Sequence, residues 1–95
     1  IIQPSFVEMV VAEIVVTDEV GLHARTASLF AKKAMLFNSE IKVEGNQKIV
    51  NGKSMLSLMS LGIKQGTKIE IFAEGKDEVP ALKALRDLVG SNFKC

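Results

Sequence analysis

The sequence predicts an α+β fold, a two-layer sandwich with three helices on one face of a four-stranded antiparallel sheet. Three observations carry that expectation. Four short segments alternate apolar and polar residues with a period of two, as half-buried strands do. Three others repeat apolar residues at steps of three and four, as amphipathic helices do. They follow one another as strand, helix, two strands, helix, strand, helix (βαββαβα), an order that leaves the arrangement of strands within the sheet open.

The first strand covers Val10 to Val16, with Val10, Ala12, Ile14 and Val16 on one side and Glu13 on the other. The first helix runs from Ala24 to about Phe37, because Ala27, Phe30, Ala31, Ala34 and Phe37 form a single stripe. Arg25, Lys32 and Lys33 lie off that stripe, and the two lysines read as a solvated face. Glu40-Ile41-Lys42-Val43-Glu44 alternates cleanly, Gly45-Asn46 turns the chain, and Lys48-Ile49-Val50 returns, which makes a hairpin. Ser54 to Ser60 is a short helix with Ser54 in cap position and Gly62 at its close. In the fourth strand Ile69 and Ile71 alternate with Lys68, Glu70 and Phe72. The last helix opens at Asp77, tolerates Pro80 in its first turn, and buries Leu82, Leu85, Leu88 and Val89 before Gly90.

A chain of 95 residues with 47% hydrophobic content supports one small core. We expect a single domain over residues 9–95, with Met9 as the natural start and residues 1–8 as an added leader or disordered tail. Those first residues lack the basic start and apolar core of a secretory signal. No apolar run approaches the roughly 20 residues that span a bilayer, which argues against direct membrane insertion. Lys+Arg 12 against Asp+Glu 11 leaves a formal charge of +1, so bulk charge favours neither nucleic acid nor an anionic surface. With no tryptophan or tyrosine, and five phenylalanines mostly at core spacing, there is no stacking platform for RNA. One histidine and one cysteine leave no cluster for zinc, and Cys95, with no intrachain partner, suits a reducing cytosol. The chain is read as cytoplasmic and as needing no cofactor or metal, and it is expected to be a monomer, although composition does not address oligomeric state.

The chemistry concentrates at Gly21-Leu22-His23-Ala24-Arg25, where a strand gives way to a helix. The first amides of a helix have no internal acceptor and share the positive end of the dipole, so an anion finds oriented donors there. A lone histidine at such a place is ordinarily a cap or a surface group. Its neutral imidazole is also a nucleophile able to carry a covalent intermediate, and Arg25, two residues on, offers bidentate hydrogen bonds to the oxygens of the carried group. Gly21 permits a tight corner, Leu22 anchors it in the core, and Ala24 leaves room beside the ring. In the short helix Met55, Leu56 and Met59 share one face while Leu58 and Leu61 fall on another, so one apolar face stays exposed as a docking patch. Flexible methionines suit that use.

Gly21-Leu22-His23-Ala24-Arg25-Thr26 resembles the Gly-Leu/Ile-His-Ala-Arg-Pro signature of the HPr family, the histidine-containing phosphocarriers of the bacterial phosphoenolpyruvate-dependent sugar phosphotransferase system. Lys53-Ser54-Met55-Leu56-Ser57-Leu58-Met59-Ser60-Leu61-Gly62 is similar to that family's regulatory-serine segment, and Gln65-Gly66-Thr67 with Ala73-Glu74-Gly75 also fits. The resemblance spans roughly Val11 to Val89 and implies an open-faced sandwich with sheet order 1-4-2-3.

It further implies that His23 takes a phosphoryl group on Nδ1 from phospho-enzyme I and yields it to IIA components of sugar permeases. Arg25 and the amides of Ala24, Arg25 and Thr26 would hold the group. Ser54 would be the target of HPr kinase/phosphorylase. A phosphate there would weaken docking of enzyme I at Met55, Leu56 and Met59 and recruit a catabolite control protein. Two residues depart from the pattern. Thr26 replaces the signature proline, keeping an N–H for the anion site and adding a hydroxyl that could serve it as a further donor, and Val20 stands where members often carry a small hydroxyl or amide. The same chemistry would also serve a regulatory paralogue, of the nitrogen branch or catabolite signalling, that does not feed sugar transport; a Ser54-based co-repressor with an idle histidine is a third reading.

Overall fold

Strand periodicity in four segments becomes one sheet because each alternating segment has an apolar side that must be covered. A computed structural model describes residues 10–93, so the expectations for the leader, Met9 and Cys95 lie outside the described residues. The elements are β1 (Val10–Val15), α1 (Ala24–Ala34), β2 (Glu40–Gly45), β3 (Lys48–Asn51), α2 (Met55–Met59), β4 (Lys68–Glu74) and α3 (Glu78–Gly90). The sheet order is β1-β4-β2-β3, and every neighbouring pair is antiparallel. The fold class and strand order expected from the sequence are those observed.

The core lies between the sheet and the helices. Ala27, Phe30, Ala31 and Ala34 of α1, Leu58 of α2, and Ala81, Leu85, Leu88 and Val89 of α3 are buried against Ile41, Val43, Ile69, Ile71 and Ala73 of the sheet. Leu82, expected in the buried stripe, is only partly covered, and the small Ala81 takes the inner position where α3 comes close to the sheet. β1 is an edge strand, so its inward residues Val10 and Ile14 are half-buried, with Val16 just beyond the strand fully covered.

Several details differ from the expectation. α1 ends at Ala34, where Leu36 N–H and Phe37 N–H bond to Lys33 O and Ala34 O, tightening the last turn so that Phe37 folds back onto the core without being helical. The hairpin turns at Asn46-Gln47, both at positive φ (50° and 69°), while Gly45 remains in β2 paired to Lys48. Gly45 is required by packing: a Cβ there would stand 2.5 Å from Ile63 Cδ1. Gly90 belongs to α3, whose end is closed by Phe93 N–H to Leu88 O at 2.7 Å and Asn92 N–H to Val89 O at 3.0 Å, with Phe93 buried beneath. Asp77 opens α3 without capping it. Its carboxylate accepts from Asn38 N and Ser39 N, both at 2.8 Å, and from the Ser39 hydroxyl, tying α3 to the entry of β2.

Candidate functional site

The corner between β1 and α1 is strapped to the loop before β4. Val16 N–H bonds to Thr67 O, Gly66 N–H to Val16 O, and Leu22 N–H to Ile63 O at 3.1 Å, with Leu22 buried. Gly21 adopts φ +84°, and a Cβ there would lie 2.2 Å from Ile63 O, so only glycine lets the two segments pass this closely. Between them Asp18 closes a turn: its backbone O accepts from Gly21 N, and its Oδ1 accepts from Val20 N at 3.0 Å.

This corner delivers His23 to the N-cap of α1 in an extended backbone conformation. His23 and Thr26 form a reciprocal capping box. Arg25 N–H donates to His23 Nδ1 at 3.3 Å, and His23 N–H donates to Thr26 Oγ1 at 3.1 Å. Nδ1 is therefore the acceptor nitrogen, its lone pair turned to the positive end of the helix, and the ring proton belongs on Nε2. The cap reading and the nucleophile reading of His23 thus describe one geometry, because the lone pair that caps the helix is the one that could attack phosphorus.

Thr26 overturns one expectation. Its hydroxyl is fully buried, donates to Gly21 O at 2.7 Å and accepts from His23 N–H, so it braces the corner and is not available to an anion. A short β-branched side chain in the first turn reaches back to the preceding corner and not out to solvent. Ala24 is exposed and leaves the ring open, and Val20 is 63% exposed beside it.

The Arg25 guanidinium lies alongside, with Nη2 donating to Asp18 Oδ2 at 3.2 Å. The same carboxylate faces His23 Nε2 across 3.8 Å. Thr17, Asp18, Glu19, Val20, His23, Arg25 and Asn92 line an open depression of about 460 Å³. Asp18 and Asn92 were not singled out by sequence reasoning. Asp18 carried a signal, an Asp three residues before a glycine, which is the type I turn pattern. Asn92 carried none: the fold brings it from the end of α3 to hydrogen-bond with Thr17.

α2 packs beside α1 and carries the second set of residues. Ser54 is its N-cap, with Oγ accepting from Ser57 N–H at 3.2 Å. Leu58 and Leu61 are buried while Met55 and Leu56 are exposed, Leu56 to 75%. Met59, grouped with them by helical projection, is half-buried against the core. Among the described residues no helix is long and apolar enough to cross a membrane, and no cluster of His, Cys, Asp and Glu is placed to hold a metal.

The PTS-HPr family pattern, described as the PTS HPr component phosphorylation site, matches residues 10–91. The chain belongs to the HPr family. A phosphocarrier protein HPr of Neisseria meningitidis is 41% identical over 85 residues, covering 90% of this chain and 96% of its own. The HPr-C-His structure from Thermoanaerobacter tengcongensis is 47% identical with a TM-score of 0.84, covering 87% of this chain and 93% of its own. Crh, the Bacillus subtilis catabolite repression HPr, superposes with a TM-score of 0.71 at 39% identity, covering 81% of this chain and 88% of its own, and is described as a swapped dimer. This HPr chain is thus a phosphocarrier of the phosphotransferase system.

Proposed function

We propose that this HPr accepts a phosphoryl group from phospho-enzyme I on His23 Nδ1 and passes it to IIA components of sugar permeases in the cytoplasm. The observation that supports this most directly is the hydrogen bond from Arg25 N–H to Nδ1, which leaves that nitrogen unprotonated at a helix N-terminus, with the Arg25 guanidinium held on Asp18 in the same depression. Phosphoryl transfer through a loose transition state asks for positioning and charge stabilisation more than for proton transfer. Nδ1 attacks in line. The amide of Arg25, released by the ring's lone pair, joins those of Ala24 and Thr26 at the phosphoryl oxygens, and the Arg25 guanidinium matches their charge.

Ser54 is the regulatory site in this reading. A phosphate on the N-cap of α2 would add about −1.5 to −2 charge beside exposed Met55 and Leu56, weakening enzyme I docking and favouring a cationic partner such as a catabolite control protein after HPr kinase/phosphorylase has acted. The test is intact mass after incubation with phosphoenolpyruvate, magnesium and enzyme I. One acid-labile phosphate on the wild-type chain and none on His23→Ala is the expected result; equal labelling of both proteins would overturn the site. Transfer onward to sugar-specific IIA proteins separates a sugar carrier from a regulatory paralogue, which would donate only to a dedicated regulatory IIA.

A further inference from the structure

Among the described residues, Asp18 is the one acidic side chain that reaches both functional groups of the site. Its Oδ1 is anchored by Val20 N–H at 3.0 Å, its Oδ2 accepts from Arg25 Nη2 at 3.2 Å, and it faces His23 Nε2 at 3.8 Å. The side chain is only 12% exposed, against 57% for Arg25 and 32% for His23, so the carboxylate is the fixed member of the trio and the other two can move. An ordinary turn aspartate would need only the Val20 contact. The two extra partners are what a turn does not explain.

We propose that Asp18 is a positioning residue for phosphoryl transfer, holding Arg25 in reserve beside the ring and balancing the charge that the ring acquires on Nε2. This rests on His23 Nδ1 being the phosphoryl acceptor. As the Nδ1 lone pair forms the bond to phosphorus, the bond from phosphorus to the donor breaks and its electron pair leaves with the donor. The ring keeps its Nε2 proton and with it one unit of positive charge, facing Asp18. The guanidinium then exchanges one anion for another, leaving Asp18 Oδ2 for the phosphoryl oxygens, and the carboxylate it leaves is free to close on Nε2–H. In onward transfer the bond from Nδ1 to phosphorus breaks, its electron pair returns to Nδ1, and the ring departs neutral with the same proton on Nε2. No proton has to move in either direction. An orienting carboxylate behind a nucleophilic or basic imidazole serves a comparable purpose in hydrolases.

Asp18→Asn retains the oxygen that accepts from Val20 N–H and removes the charge. With enzyme I and phosphoenolpyruvate, the maximal rate of His23 phosphorylation is expected to fall by about tenfold, equivalent to losing one charge-assisted contact, with KM for this protein changed less than about twofold. Asp18→Glu, which restores the charge, should recover part of that rate. Wild-type kinetics in Asp18→Asn would overturn the proposal, as would a change confined to KM or an Asp18→Glu protein as slow as Asp18→Asn at equal thermal stability, since either points to docking or turn geometry. The two readings fail separately: a wild-type chain that takes no acid-labile phosphate refutes His23, whereas normal labelling with an unaffected Asp18→Asn refutes only Asp18.

Discussion

Thr26 shows how a single residue can keep a site's geometry by a different route. A proline there would pre-set the first helical turn through its ring; threonine does it with a buried hydroxyl that donates to Gly21 O and accepts from His23 N–H. Thr26→Val removes that hydroxyl at nearly constant volume and strands both partners. It is expected to lower unfolding free energy by about 1–3 kcal/mol in urea titration, the cost of leaving buried polar groups unpaired. Because the hydroxyl sets where the His23 backbone sits, the same variant should also slow phosphorylation. A stable Thr26→Val protein with an unchanged rate would show that the capping box is dispensable. His23, Arg25 and Thr26 were all visible in the sequence as residues at a strand-to-helix corner. That the Thr26 hydroxyl points inward was not, because its acceptor Gly21 O becomes available only when the corner closes on Ile63.

The short helix α2 has to serve as both core and contact surface. It buries Leu58 and leaves Met55 and Leu56 in solvent, with a serine as its cap. Ser54→Asp should preserve the cap, since aspartate accepts from the same amide, and place a charge at the patch. The expected outcome is unchanged thermal stability with a raised KM for this protein in the enzyme I reaction; a lowered maximal rate with unchanged KM would mean that the charge acts on chemistry and not docking. The open face of the sheet offers a second prediction. Glu13, Glu70 and Glu44 stand directly opposite one another on β1, β4 and β2. The carboxyl of Glu70 is raised above its ordinary 4.5, first by a hydrogen bond with Glu13, then by partial desolvation and by repulsion from Glu13 and Glu44, with Lys68 opposing. A carboxyl raised on folding contributes stability that is full below the unfolded value and lost as pH rises through the folded one. Glu70→Gln should therefore melt higher than wild type at pH 7, and the difference should shrink toward pH 4 in parallel thermal melts. Like charges placed in one cross-strand row explain the sign.

Asp77 operates at the scale of the whole molecule, joining α3 to the entry of β2 across 38 and 39 residues of chain. The Ser39 hydroxyl first, then Asn38 N–H, hold its carboxyl below the ordinary 3.8. A carboxyl lowered on folding contributes stability above the unfolded value and loses it as pH falls through the folded one. Asp77→Asn turns an amide toward the donors Asn38 N–H or Ser39 N–H. It should unfold at lower urea than wild type at pH 7, with a smaller further loss on going to pH 3. Equal acid sensitivity of the two proteins would show that this tie does not govern the acid limb.

Local order decided much of this protein. A period of two or of 3.6 compares each residue with neighbours two to four positions away, and that was enough to find all seven elements, the helix start at His23 and the inward stripe of α1. The family motifs then implied the strand order that periodicity left open, and pairing of β1 with β4 and of β4 with β2 bears it out. What the sequence could not settle depends on distant partners. Gly45 reads as a turn residue until Ile63 is packed against it. Asp77 reads as the start of a helix until the β2 entry arrives to take its oxygens. Phe93 lies beyond the expected end of α3 until the helix closes over it, and Asn92 reaches Thr17 only because α3 ends beside the corner after β1. Each of these residues is assigned its role by a contact whose other half lies elsewhere in the chain. Such contacts exist only once the sheet and helices have packed, since packing alone sets the distance between residues remote in sequence.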